Sequence, residues 1–245
     1  MGLIQGFTEF LPVSSSGHLV LFSRITGAES SLAFDLILHL GTLIAVVIVF
    51  KKELIELVKK PLCPLAKKLA LATVFSVVVV FVLKDLADEC FDGKSLPLFF
   101  MLTALLLTLS GAFSQKNGGE ISYLDASIIG IAQGLAVFPG LSRSGTTAST
   151  ASLLGVKKSD GVSFCFLLSI PIILGSSVVE IAGGELNAVS LGCVIAGFIS
   201  ALVSGLIALV TAKKFLSNGK NAPFVVYLIA LSLVITVNDL FLKAF

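Results

Sequence analysis

Gly2-Leu3-Ile4-Gln5-Gly6-Phe7-Thr8-Glu9-Phe10-Leu11-Pro12-Val13-Ser14-Ser15-Ser16-Gly17-His18 meets a relative of itself farther along the chain. That relative is Gly130-Ile131-Ala132-Gln133-Gly134-Leu135-Ala136-Val137-Phe138-Pro139-Gly140-Leu141-Ser142-Arg143-Ser144-Gly145-Thr146. A gapless shift of 128 residues lays Gly2, Gln5, Gly6, Phe10, Ser14, Ser16 and Gly17 on Gly130, Gln133, Gly134, Phe138, Ser142, Ser144 and Gly145. Each copy is apolar, but Pro, Gly and Ser break it in the middle. A half of about 11 helical residues is about 17 Å long, which reaches the middle of a bilayer and no further. Residues 2–26 and 127–155 therefore read as two re-entrant helical hairpins. Irregular backbone at that depth is tolerated only inside protein or beside a wet cavity.

Working outward from the hairpins, the rest of the chain reads as membrane. Of 245 residues, 56% are hydrophobic and 13% charged. An average soluble domain carries roughly 25% charged residues, so a soluble fold is excluded. Full spans are expected at about 31–50, 66–83, 96–113, 161–180, 189–212 and 223–242. Each hairpin is followed by three spans. Three is odd, so the second half enters the membrane from the opposite side, as in an inverted-topology repeat. The expected fold is all-α, a single polytopic membrane domain over 1–245, with repeat one about 1–113 and repeat two about 122–245. It has six full spans plus two re-entrant helical hairpins.

Lysines set the orientation. Lys51, Lys52, Lys59, Lys60, Lys67 and Lys68 crowd 51–68, Lys157 and Lys158 mark 156–160, and Lys213, Lys214 and Lys220 mark 213–222. The positive-inside rule puts these three segments in the cytoplasm. The acidic 84–95 loop (Asp85, Asp88, Glu89, Asp92) and the 181–188 loop with Glu185 then fall outside. The 114–126 segment must be inside, although Lys116 faces Glu120 and Asp125 in its composition. The net charge of +2 gives no support for nucleic-acid binding. The four cysteines form no close pair, so they read as small apolar filler rather than a zinc site or disulfides.

The hairpin tips carry the chemistry. Pro12, Pro139 and Gly140 end the incoming helices, and Ser14 and Ser142 are good caps for the outgoing ones. The free N–H groups of two helix starts, facing each other, suit two phosphate groups. Arg143 at membrane depth costs about 2.5–3.5 kcal/mol by insertion scales, so it needs a partner. Its planar fork matches phosphate oxygens, and an ion pair with Glu9 is the structural alternative. Glu9 serves as a base or as a ligand for a divalent cation, with Gln5 one turn away on the same face. His18 offers acid, base or nucleophile chemistry beside three serines. His39 and Asp35 lack such company and read as structural. The second copy has Val137 and Thr146 where the first has Glu9 and His18, so the first tip brings acid–base groups and the second the cation.

The two tips, Gln5 to His18 and Pro139 to Thr147, resemble the undecaprenyl-diphosphatase family associated with bacitracin resistance. The resemblance implies hydrolysis of undecaprenyl diphosphate to undecaprenyl phosphate and inorganic phosphate, which regenerates a cell-wall lipid carrier. It implies a multi-pass protein of the plasma membrane whose site opens toward the outer face. By motif position the family's acidic pair falls on Gln5 and Glu9, its serine and histidine on Ser15 and His18, and its phosphate-binding arginine on Arg143. Glu9, Ser15, His18 and Arg143 are thus the expected catalytic residues. Gln5, Ser14, Ser16, Ser142, Ser144, Thr146 and Thr147 are the expected substrate ligands. Mg²⁺, with Ca²⁺ as second choice, is the expected cofactor, held by Glu9 and Gln5. The expected partners are a polyprenyl diphosphate lipid and the bilayer, with a homodimer as one assembly and no nucleic acid. Ser15 is the first choice of nucleophile, activated by His18 or Glu9; water held by Glu9, and His18 itself, stay open. The rival reading is a transporter or flippase that moves a lipid phosphate or another anion without cleaving it.

Overall fold

The computed structural model describes residues 1–27, 32–113, 118–182 and 190–244, with side chains of 32 and 176–182 left aside. Among the described residues the fold is all-α, apart from one isolated bridge between Gly119 and Val156. The helices are α1 (Gly2–Phe10), α2 (Ser15–Thr26), α3 (Leu32–Val49), α4 (Lys51–Lys59), α5 (Pro64–Glu89), α6 (Leu96–Ala112), α7 (Tyr123–Leu135), α8 (Arg143–Leu153), α9 (Lys158–Ala182), α10 (Leu191–Ser217) and α11 (Ala222–Val237). A π-helical turn, Asn238–Leu242, extends α11.

Among the described residues four helices are long and apolar enough to cross a membrane, and a fifth is obtained if the bent pair α3–α4 counts as one span. α6 is equally apolar but shorter, at 17 residues. The large apolar side chains on these helices that face away from the protein, such as Phe81 at 85% exposure, face outward because lipid is their solvent. One expected loop is helical instead. The chain bends by 79° at Phe50, and Lys51–Lys59 continues as α4, with no buried residue. Its lysines and glutamates alternate with Leu54, Ile55, Leu57 and Val58, the pattern of a helix lying in the membrane surface.

The basic segments gather at one end of the molecule. The Lys213 ammonium sits 4.5 Å from the Phe50 ring centroid, and Lys68 5.5 Å from that of Tyr123. Gly119 N–H donates to Gly155 O at 3.0 Å, and Lys157 N–H to Gly119 O at 3.0 Å, which brings the described part of 114–126 to the same end. The opposite end is closed by Arg24. It donates to Asp239 Oδ1 at 2.5 Å and to Gly93 O at 3.1 Å, in the acidic loop between α5 and α6. The 181–188 segment with Glu185 lies outside the described residues after position 182.

The two halves interlock rather than sit side by side. α1 packs on α10 and α7 on α5, so each broken hairpin leans on a long helix of the other half. α6 packs on α11, and α8 on both α6 and α9. The main core runs through Phe10, Phe50, Phe100, Leu107, Phe166 and Leu228, all but sealed from solvent. This interlock holds the two breaks in register at the centre.

Candidate active site at the meeting of two helix breaks

The two breaks differ in length, four residues against seven, but the outgoing helix restarts on a serine cap in both. α1 ends at Phe10, and Pro12 cannot continue it. α2 restarts at Ser15, capped by Ser14, whose hydroxyl accepts from Gly17 N–H at 3.3 Å. α7 ends at Leu135, Pro139-Gly140 turn the chain, and α8 restarts at Arg143. Its cap is Ser142, which accepts from Gly145 N–H at 3.1 Å. The second capping-turn serine bonds the first in both copies, Ser14 to Ser16 and Ser142 to Ser144, each at 3.3 Å. The amides of Ser15 and Ser16, and of Arg143 and Ser144, are the ones a helix start leaves without intrahelical partners.

The tips touch. Gly140 N–H donates to Ser14 Oγ at 3.1 Å, and Ser144 Oγ donates to Leu11 O at 3.1 Å. The approach needs a missing side chain: a Cβ on Gly17 would lie 2.8 Å from Gly140 Cα. Gly140 itself has φ 95°, a conformation open to glycine at little cost. Thr103 of α6 steadies the second tip, accepting from Ser142 N–H at 3.0 Å and donating to Gly140 O at 3.1 Å.

Glu9 is the centre of the arrangement. Its side chain is 5% exposed. Arg143 donates to Oε1 at 3.3 Å, Ser15 Oγ to Oε2 at 2.6 Å, and Gln5 Nε2 to Oε2 at 2.9 Å. Under the 128-residue shift Ser15 and Arg143 are equivalent positions, the first residue of each outgoing helix. One carboxylate is thus gripped on its two oxygens by the same position of two copies. A buried carboxylate needs such a set, since its desolvation costs several kcal/mol after relaxation. Arg143 is 28% exposed, so its far side can take a further anion.

His18 is placed differently from Ser15. Its Nδ1 lies 2.7 Å from Ser14 O and its Nε2 2.7 Å from the hydroxyl of Tyr227 on α11. The Ser15 hydroxyl is directed to Glu9, so Glu9 and not His18 is the base in contact with it. The expected ligands divide likewise. Ser144 and Thr147 line a cleft of about 240 Å³, open solvent included, with Glu9, Phe10, Arg143 and Ser169. Thr146 does not line that cleft; it is 3% exposed, with its hydroxyl unpartnered. Ser14, Ser16 and Ser142 serve caps and tip contacts. His39 Nδ1 lies 2.9 Å from Asp35 O, a local contact within α3. Sequence reasoning passed over Tyr227, Thr103 and Ser169. For Tyr227 a faint signal existed, since it is one of two tyrosines in the chain and sits inside an apolar span.

No group of three or more His, Cys, Asp or Glu that could hold a metal occurs among the described residues. Gln5 is fully buried, and its Oε1 has no hydrogen-bond partner. That orphaned carbonyl oxygen beside Glu9 fits a hard cation only if further oxygens come from elsewhere, as Mg²⁺ sites usually draw on substrate phosphates and water.

Comparison with known proteins decides the family. The model of the bacitracin resistance protein BacA family matches residues 1–234. The chain belongs to the BacA family. Its relatives include a protein of Carboxydothermus hydrogenoformans named undecaprenyl-diphosphatase, 39% identical over 97% of this chain and 94% of that one. Proteins of the same name from Methanococcus maripaludis and Thermosipho africanus are each 37% identical. The alignments cover 93% of both chains for the first and 96% of both for the second. The BacA match spans both hairpins, so Glu9, Ser15, His18 and Arg143 all lie within it.

Proposed function

We propose that this BacA-family chain hydrolyses undecaprenyl diphosphate to undecaprenyl phosphate and inorganic phosphate, with both helix breaks gripping the diphosphate. The observation that carries the reading is the single carboxylate, Glu9, held by Ser15 from one break and by Arg143 from the other. An anion carrier has use for Arg143 and helix ends but not for a hydroxyl held on a buried carboxylate.

The chemistry follows from the contacts. The head group enters the cleft, and Arg143 turns from Glu9 to its phosphate oxygens. The free amides of both helix starts, including those of Ser15 and Arg143, bind the remaining oxygens. Charge neutralisation and positioning are the main catalytic contributions in phosphoryl transfer. Glu9 takes the proton of Ser15 Oγ as that oxygen attacks the terminal phosphorus, and undecaprenyl phosphate leaves. A water then attacks the phosphoserine; the Tyr227 hydroxyl turns aside and His18 Nε2 takes the water proton, Glu9 returns its proton to Ser15 Oγ as the P–O bond breaks, and inorganic phosphate departs. Glu9 and Gln5 Oε1 are the groups that would hold a divalent cation shared with the phosphates. When bound, the ion adds positive charge to balance the diphosphate.

The full architecture supports the same reading. Moved by 128 residues, the bounds of α5 become 192–217, against 191–217 for α10, and those of α2 become 143–154, against 143–153 for α8. That match along the chain supports two repeats of a hairpin and three spans, α3, α5 and α6 in one and α9, α10 and α11 in the other. The lysine-rich end is taken as cytoplasmic by the positive-inside rule. The tips lie near Leu96 and Phe99, at the start of α6 beside the acidic loop, which supports a site opening to the outer face of the plasma membrane.

Purified protein should release inorganic phosphate from undecaprenyl diphosphate in detergent, and excess chelator should slow it. Absence of release from the wild-type protein, with and without added Mg²⁺ or Ca²⁺, would overturn the hydrolase reading.

A further inference from the structure

Tyr227 has no place in the tip motifs, yet it completes the first tip. Its hydroxyl lies 2.7 Å from His18 Nε2, and its ring lies parallel to the imidazole, 10° between planes and 5.7 Å between centroids. The two residues are 209 positions apart and belong to opposite halves. Phe100 closes another side of the imidazole edge-on, 5.5 Å away.

The tautomer follows from the partners. Ser14 O is a carbonyl and can only accept, so His18 Nδ1 carries a proton and donates to it. In the neutral ring Nε2 then presents its lone pair, and the Tyr227 O–H donates to it. The repeat offers a control. Tyr227 falls on Phe99 under the 128-residue shift, and the Phe99 ring stacks on Phe138 at the second tip, 4.9 Å and 13°. Both halves place an aromatic ring against the opposite tip. Only at the tip with an imidazole does that ring carry a hydroxyl.

We propose that Tyr227 is a positioning residue for the hydrolysis: in the resting site its O–H occupies the Nε2 lone pair and its ring lies beside the imidazole, which keeps His18 neutral and in one orientation until that hydroxyl turns aside and Nε2 takes the water proton. It acts through His18, by contact with Nε2, and is given no contact with the substrate. The inference rests on the hydrolase reading and adds a residue from the second half to the first tip.

The test is Tyr227→Phe, which keeps the ring and removes the hydroxyl, with Tyr227→Leu removing both. Tyr227→Phe should lower kcat about tenfold to a hundredfold, below the full worth of a general base, with KM within about twofold. In a His18→Ala background it should cost nothing further. The protein has two histidines, so nitrogen NMR of labelled imidazoles resolves His18, and Tyr227→Phe should shift its Nε2 resonance while leaving that of His39 in place. Thermal unfolding of Tyr227→Phe should match the wild type. Wild-type turnover by Tyr227→Phe, or an equal loss with and without His18, overturns the proposal and leaves the hydrolase reading standing. If the wild type itself releases no phosphate, the hydrolase reading fails, and an unmoved Nε2 resonance in Tyr227→Phe separately overturns the contact.

Discussion

The two outgoing half-helices, α2 and α8, start from the same device and end in different surroundings. Both have a serine cap bonded to the third amide and a second serine at 3.3 Å. α8 then runs through the interior, with Ser144 to Ser149, Ala151 and Ser152 buried. α2 buries only Gly17 and Leu21. The sheltered copy carries the cation, Arg143, and Thr146 where the other has His18. The open copy carries Ser15 and His18, with Glu9 just before it. What repeats is the serine-capped helix start, two of them meeting tip to tip, although the cap itself sits at φ 71° in Ser14 and φ −68° in Ser142. What differs is the burial of the outgoing helix and the side chains that each tip presents, acid–base groups on the first and the cation on the second.

Paired substitutions at equivalent positions can break this contrast. The largest effect is expected at the first residue of each outgoing helix. Arg143→Ala should lower phosphate release by roughly 10³–10⁵, the range for removing an arginine that stabilises phosphoryl transfer. Ser15→Ala should remove the covalent route, and similar turnover in Ser15→Ala and wild type would reassign the nucleophile to water. Next comes Glu9→Ala, expected to cost about 10²–10⁴ in kcat as the loss of a general base. Val137→Ala, at the equivalent place in the other copy, should stay within about threefold, since nothing there takes a proton; a comparable loss at Val137 would contradict the division of labour.

The caps should separate less. Ser142→Ala removes one cap and should cost about 1 kcal/mol of stability. Ser14→Ala also strands the buried Gly140 N–H, which adds about 1–3 kcal/mol. Unfolding in denaturant, read from the fluorescence of a probe on a cysteine, should order them Ser14→Ala below Ser142→Ala below wild type. The smallest effect belongs to Thr146→Val. Its buried hydroxyl has no partner, so an apolar side chain of similar shape should leave stability unchanged or slightly raised, with turnover within about twofold. A marked loss of turnover would restore Thr146 as a substrate ligand.

Much of this was legible in the sequence because a membrane restricts the options. The bounds read at 96–113 and 223–242 match the helices α6 at 96–112 and α11 with its π turn at 222–242, of which α11 is long enough to span. Arg143 and Glu9 were legible as partners because neither is tolerated alone at that depth. The helix α4 was hidden because its lysines looked like a loop, and its amphipathic pattern is short. Ser15's choice of Glu9 over His18 was beyond reach, since both lie within one turn of the tip and only the rotamers decide. Tyr227 was hidden by distance: its partner lies in the other half, and an aromatic residue in an apolar span normally means lipid contact.

The most direct test of the shared grip is binding without turnover. Affinities of the purified protein for a methylene-bridged polyprenyl diphosphonate and for the matching polyprenyl monophosphate should be compared, in wild type and in Arg143→Ala. Two tips holding two phosphate groups predict that the diphosphonate binds at least about tenfold tighter, about 1.4 kcal/mol, and that Arg143→Ala erases the preference. Equal affinity of the wild type for both lipids, or a preference that survives in Arg143→Ala, would contradict it.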